Sequence, residues 1–324
     1  MCLSEIPLSV WRRRGNDFVF RGHRIRYWAA GQGEPLLLIH GFPTASWDWH
    51  YLWQPLARRY RVIACDMLGF GDSAKPRNHV YSLIEQADLQ QALLGHLEVS
   101  QPVHILAHDY GDSVAQELLA RHAEGRFDMG SCAFLNGGLF PEAYRPCRVQ
   151  KMLLGRLGWV VGRLFDRNSL DHDFSRTFGP DTRPSESELD DFWSLISAGR
   201  GHHMLYRLIN YLPERVELRD RWVQAMQRNL VPMRFINGAA DPISGRHMVE
   251  RYRELIPNPD TILLPDVGRY PQTEAPARVL SCYEAFRASA ADFRPPIVVP
   301  LAIQNSKPAN HPFVLSSTIQ NGSY

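Results

Sequence analysis

The residue best placed to react is Asp109. It stands in Ala107-His108-Asp109-Tyr110-Gly111-Asp112, where the apolar run Val103-His104-Ile105-Leu106-Ala107 passes directly into helix-forming Ser113-Val114-Ala115-Gln116-Glu117-Leu118-Leu119. A sharp strand-to-helix turn needs small neighbours, and Ala107 and Gly111 supply them. The turn would present Asp109 at the carboxyl edge of a sheet, over a helix N-terminus whose amides favour negative charge. A carboxylate so placed can attack an electrophilic sp³ carbon and form a covalent alkyl ester. An Asp at this junction could also be a simple helix cap. Asp112, three residues on, suits the structural role better, as a first-turn carboxylate facing the helix dipole.

Two other stretches carry complementary chemistry. His40-Gly41-Phe42-Pro43 follows a buried apolar run, and its turn would aim the Phe42 amide at the same point as the Tyr110 amide, two donors for a developing oxyanion. Asp241, in Asn237-Gly238-Ala239-Ala240-Asp241-Pro242, leaves a late strand through small residues and is the candidate third acid. Asp66-Met67-Leu68-Gly69-Phe70-Gly71-Asp72-Ser73 reads as an architectural turn.

These residues need a scaffold, and the surrounding pattern supplies one. Phe18-Val19-Phe20 and Ile25-Arg26-Tyr27-Trp28 read as an antiparallel pair turned at Arg21-Gly22-His23. Leu36-Leu37-Leu38-Ile39, Arg61-Val62-Ile63-Ala64-Cys65, the run before Asp109 and Cys132-Ala133-Phe134-Leu135 are apolar throughout, as strands buried on both faces are. Pro232-Met233-Arg234-Phe235-Ile236 and Thr261-Ile262-Leu263-Leu264 complete eight. Helical periodicity falls between them, notably over residues 82–97, where Ser82 and Glu85 predict a capping box. The class is therefore α/β, a mostly parallel eight-stranded sheet flanked by helices. Residues 137–229 break the rhythm with a segment rich in Arg, Trp, Tyr, Leu and Met and without strand signals. Ser185-Glu186-Ser187-Glu188 opens one of its helices. The division predicted is a core over 11–136 and 230–292, an inserted helical cap over 137–229, and a disordered tail over 293–324.

Composition narrows the partners. The chain has 324 residues and a net charge of +2, too small to favour nucleic acid or a membrane surface. Arg12-Arg13-Arg14 reads as a solvated turn. Five cysteines without metal spacing imply a reducing compartment, and no metal or cofactor is expected. The N-terminus lacks a basic-then-apolar leader and no stretch is long enough to span a membrane, so a cytoplasmic location is expected.

Together these motifs resemble the α/β-hydrolase group that contains epoxide hydrolases and haloalkane dehalogenases, and within it the mesoderm-specific transcript protein family. The resemblance runs from about Trp11 to Ala291. It is carried by His40-Gly41-Phe42-Pro43-Thr44, by Arg61-Val62-Ile63-Ala64, and by His108-Asp109-Tyr110-Gly111-Asp112 with the helix that follows. In the cap it is carried by Asn136-Gly137-Gly138-Leu139-Phe140-Pro141-Glu142, Phe178-Gly179-Pro180 and 182–189. It implies an α/β-hydrolase fold with an inserted cap, an Asp nucleophile and a small apolar electrophilic substrate: an epoxide, haloalkane or ester. It also implies a catalytic His in a His-Tyr-Pro-Gln context. Here that segment reads Gly268-Arg269-Tyr270-Pro271-Gln272, so Arg269 holds the position.

Arginine stays protonated and cannot deprotonate the water that would release the ester, whereas an imidazole oriented by Asp241 could. Arg269 is expected instead to pair with Asp109 or Asp241. His40, His108 and His247 offer no obvious replacement. Epoxide opening further needs an acid at the leaving oxygen, and the resemblance points to cap tyrosines, Tyr211 first and Tyr206 second. Dehalogenases hold halide with side-chain donors that Phe42 cannot supply, so epoxide hydrolase-like chemistry with impaired turnover leads. A dehalogenase-like hydrolase and an inactive binding protein are the alternatives.

Overall fold

Apolar runs with no polar interruption need cover on both faces, and the computed structural model, which describes residues 3–290 and 293–295, gives them that cover. All eight expected strands form: β1 (Asn16–Phe20), β2 (His23–Ala30), β3 (Pro35–Ile39), β4 (Arg61–Cys65), β5 (Val103–His108), β6 (Met129–Leu135), β7 (Met233–Gly238) and β8 (Thr261–Leu264). They make one sheet in the order β1-β2-β4-β3-β5-β6-β7-β8. β1–β2 and β2–β4 pair antiparallel, and every other pairing is parallel. Each residue of β3 and β5, at the centre, is buried, whereas β1 on the edge alternates into solvent.

Register sets the site. Ile39 lies opposite Ala107, His108 opposite Leu135, and Leu135 opposite Ile236. The carboxyl ends of β3, β5, β6 and β7 therefore come level, and the loops carrying Gly41, Asp109, Asn136 and Asp241 leave from one edge. This is where parallel sheets gather ligands.

The helix Leu83–His96 begins at Ser82, whose hydroxyl accepts from the Glu85 amide. The expected capping box is only half made, because the Glu85 carboxylate turns to His79 at 2.6 Å and Arg21 at 3.4 Å. Between β6 and β7 lie helices and turns, running from Arg148–Leu154 to Arg219–Arg228, and no strand. Ser185 and Glu188 cap the Glu186–Ser197 helix reciprocally, as their spacing predicts. Arg12-Arg13-Arg14 is not a solvated turn. It ends the helix Leu8–Arg14, and Arg12 reaches Asp72 at 2.8 Å and Ser194 at 3.0 Å, tying that helix to the core and to the helical segment.

Cys65, Cys132, Cys147 and Cys282 are free, and burial pushes all four thiols up, which leaves them poor nucleophiles. Among the described residues no helix is long and apolar enough to cross a membrane. The expected 293–324 tail lies, apart from 293–295, outside the described residues.

Candidate active site

Asp109 occupies a backbone conformation that L-residues rarely adopt, with φ 49° and ψ −102°. Such strain is kept only where the surroundings over-determine it. The Asp109 amide donates to the Leu135 carbonyl at 3.1 Å, and the Asp109 carbonyl accepts from Arg215 Nη2 at 2.9 Å. Gly111 then lets the helix start against β3, since a Cβ there would sit 2.3 Å from the Ile39 carbonyl oxygen.

The buried Asp109 carboxylate has two different ends. Oδ2 accepts from the Phe42 amide at 3.2 Å, and Oδ1 accepts from Arg269 Nη2 at 2.5 Å. Of the two amides expected beside it, Phe42 reaches the carboxylate. Tyr110 opens the helix, and its buried ring packs edge-on against Phe70 and Tyr211 at centroid distances of 5.4 and 5.1 Å. Burial alone would raise the Asp109 carboxyl, but the guanidiniums of Arg269 and Arg215 outweigh it and hold it below its usual range. The nucleophile candidate is an anion.

Arg269 spans the two acids. Its Nη1 lies 3.3 Å from Asp241 Oδ2 and 3.2 Å from Ser244 Oγ. Asp241 is fixed in turn by Asn136 Nδ2 at 3.0 Å, the Ile243 amide at 2.8 Å and Ser244 Oγ at 2.9 Å. Burial works against the Arg269 charge, yet Asp109, Tyr144 and Asp241 more than compensate and push its pKa well above the ordinary value.

Tyr211 and Tyr206 separate. The Tyr211 hydroxyl meets that of Tyr144 at 3.3 Å, and Gln150 Nε2 donates to both, at 3.2 and 2.8 Å. Arg215 lies over the Tyr211 and Tyr144 rings at 4.5 and 5.1 Å and donates from Nε to Ser113 Oγ at 2.7 Å. Tyr206 instead accepts from its neighbour Arg207 at 2.8 Å and packs beside Gly158, so it leaves the candidate set. Arg215, Tyr144 and Gln150 went unflagged because each reaches the site from the helical segment, where only the tertiary fold selects them.

The histidines have supporting roles. His108 Nε2 donates to the Arg269 carbonyl at 2.9 Å, with its Nδ1 3.7 Å from buried Asp48. His40 Nδ1 lies 2.9 Å from the Gly41 carbonyl oxygen, and its Nε2 accepts from the Met67 amide at 3.0 Å. His247, half-buried, turns to the Ile243 carbonyl at 3.1 Å. Among the described residues no imidazole bonds to Asp109. Asp112 stands in the first turn of that helix, as its position predicts, but it does not face solvent. It is buried beneath Gly137, neither oxygen has a side-chain partner among the described residues, and burial followed by the charge on Asp109 drives its pKa far up. Burial and the neighbouring Asp109 charge both favour the protonated form of Asp112.

With this geometry in place, the likenesses to known proteins are specific. Residues 34–276 match the alpha/beta hydrolase fold family. The chain is 41% identical over 292 residues to the mesoderm-specific transcript protein of Mus musculus, covering 86% of this chain and 87% of the relative. Among solved structures, the epoxide hydrolase CorEH superposes with a TM-score of 0.69 at 21% identity, covering 85% of this chain and 98% of that one. The haloalkane dehalogenase DatA of Agrobacterium tumefaciens C58 gives 0.71 at 18% identity, covering 85% and 96%. The fold, the elbow and these likenesses lead to one conclusion: the chain belongs to the α/β-hydrolase fold family, within the group of the mesoderm-specific transcript protein.

Proposed function

We propose that this protein is an epoxide hydrolase-like α/β-hydrolase in which Asp109 forms a covalent ester and Arg269 slows its release. The observation that carries the reading is Arg269 itself, bridging Asp109 and Asp241 where a base between them would deprotonate water. Phe42 holds Oδ2 of Asp109, so Oδ1 is the attacking oxygen, and it is the one that Arg269 now covers. For attack, Arg269 must release Oδ1. The Oδ1–carbon bond then forms as the epoxide carbon–oxygen bond breaks, and the Tyr211–Tyr144 pair gives the alkoxide a proton. Burial keeps both phenols protonated until that moment. Hydrolysis of the ester requires a second proton acceptor, which a guanidinium is not. In this reading residues 137–229 are the cap that delivers the acid, and 11–136 with 230–292 are the core that delivers the nucleophile.

The test is exposure to a reactive aryl epoxide, followed by mass measurement of the peptide carrying Asp109. The expected result is an adduct on that peptide, none in Asp109→Asn, and multiple turnovers in Arg269→His. Loss of a positioned base costs about 10²–10⁴-fold, which sets the scale of rescue. No adduct with any epoxide in either the natural chain or Arg269→His would sink the nucleophile. One observation favours a second reading, a binding protein that has given up chemistry: both Asp109 oxygens are already engaged. Saturable ligand binding without adduct or rescue would select it. A dehalogenase-like hydrolase stands behind both, since the Phe42 and Tyr110 side chains offer no indole or amide to a halide.

A further inference from the structure

The stretch 143–165 contains five cations, Arg145, Arg148, Lys151, Arg156 and Arg163, and no Asp or Glu. All five are exposed, and among the described residues none of them joins an ion pair. The same stretch holds most of the large exposed apolar side chains among the described residues: Met152, Leu154, Leu157, Trp159 and Leu164, with Leu157 66% and Leu164 73% exposed. They belong to two short helices, Arg148–Leu154 and Gly158–Leu164, and the turn between them. Their inner faces are fixed by buried Leu153 and by Gly158 and Gly162, which pack against neighbouring backbone. The outer face is therefore held rigidly outward. Arg163 sits over the Trp159 ring at 5.1 Å, a cation and an indole sharing one spot of surface.

We propose that this face docks on an anionic lipid bilayer. Every exposed side chain in the stretch is either cationic or apolar; there is no exposed hydroxyl, amide or carboxylate. Apolar side chains enter the acyl boundary while Lys and Arg meet lipid phosphates, and the two terms add. A second copy of the chain would bring cation against cation, and a protein partner would ordinarily meet hydrogen-bonding groups, which this face lacks beyond its charges. The net charge of +2 hides the surface because acids elsewhere cancel these five cations.

The position gives docking a consequence. A cavity of about 340 Å³ opens beside Leu154 and Val216 and runs past Pro141, Pro146 and Leu212 to Tyr144 and Arg215. Its walls are mostly apolar, and Tyr144 and Arg215 contact the surroundings of Asp109. Docking would therefore set this cavity, whose inner wall is Tyr144 and Arg215, against the bilayer. Docking itself is independent of the chemistry at Asp109, so vesicle binding and adduct formation can fail separately.

Co-sedimentation of the full chain with phosphatidylcholine vesicles, with and without phosphatidylserine, tests the surface. Binding is expected only with phosphatidylserine and should fall as salt rises. The pair Trp159→Asp/Leu164→Asp and the triple Lys151→Glu/Arg156→Glu/Arg163→Glu should each weaken it at least tenfold. Val80→Asp, an exposed apolar site outside the stretch (84% exposed), should leave it unchanged. Circular dichroism and gel filtration of the variants separate lost binding from lost folding. The proposal is overturned by absence of binding in the natural chain, by equal binding to neutral vesicles, or by an equal loss in Val80→Asp. A dimer abolished by the Trp159 and Leu164 changes would overturn it in favour of a second copy.

Discussion

Two sets of cations in this molecule have opposite circumstances. At the carboxyl edge of the sheet, buried Arg269 and Arg215 are surrounded by Asp109, Asp241, hydroxyls and a carbonyl, and each makes charge-assisted hydrogen bonds to them, though Arg215 Nη1 has no partner among the described residues. On the 143–165 face five exposed cations join no ion pair among the described residues. In the first set, desolvation forces pairing, and pairing fixes geometry to fractions of an ångström. In the second, water already satisfies each charge, so the side chains remain free to meet something else. Charge that is buried and paired specifies structure; charge that is exposed and clustered specifies a partner.

The sharpest way to break this contrast is Arg269→Ala. It leaves Asp109 and Asp241 buried with one cation fewer, and a loss of about 3–5 kcal/mol in stability is expected at neutral pH, measured by urea unfolding. Asp109 is held below its unfolded pKa, so the stability its pairing contributes is present above that unfolded value and disappears as pH falls through the lower folded one. The deficit of the variant should therefore narrow in acid. A cost below about 1 kcal/mol would place this buried pair among ordinary surface ones.

Next in size is Asp112→Asn. Asp112 has its folded pKa raised, so its penalty is absent below the unfolded value, about 4, and grows as pH rises above it. The variant should gain on the natural chain from pH 5 to pH 8, by roughly 1–3 kcal/mol if the carboxyl behaves as a typical unsatisfied buried group. A gap that is flat with pH would mean Asp112 is not held neutral. The smallest effect belongs to the exposed face: Lys151→Glu/Arg156→Glu/Arg163→Glu should change stability by under about 0.5 kcal/mol per site, while altering vesicle binding.

How much of this was legible in the sequence divides along the same line. All eight strands could be read, because a strand buried on both faces writes itself as an unbroken apolar run, as in Leu36-Leu37-Leu38-Ile39. Asp109 was legible because its constraint is local: a strand, a helix and Gly111 between them. The pairing of Arg269 followed from the position that the family resemblance implies, combined with the fixed charge of a guanidinium. Arg215, Tyr144 and Gln150 were not legible, since they converge with Asp109 through long-range packing that no spacing records. Tyr211 and Tyr206 stood first and second as candidates five residues apart, yet a short helix and a turn send them to different places. The burial of Asp112 was not legible for a similar reason. Its spacing places it in a first helical turn, but only the fold reveals that the chain at Gly137 lies over it.

The backbone at position 269 is secured without help from its own side chain. Its amide donates to the Thr177 carbonyl at 2.8 Å, and its carbonyl accepts from His108 at 2.9 Å. The position is thus a socket wired from both the sheet and the helical segment, into which either a guanidinium or an imidazole can be plugged. Arginine and histidine codons can differ by a single nucleotide. On the function proposed above, one point mutation at this position would separate a residue that locks the two carboxylates together from one that acts as a base between them.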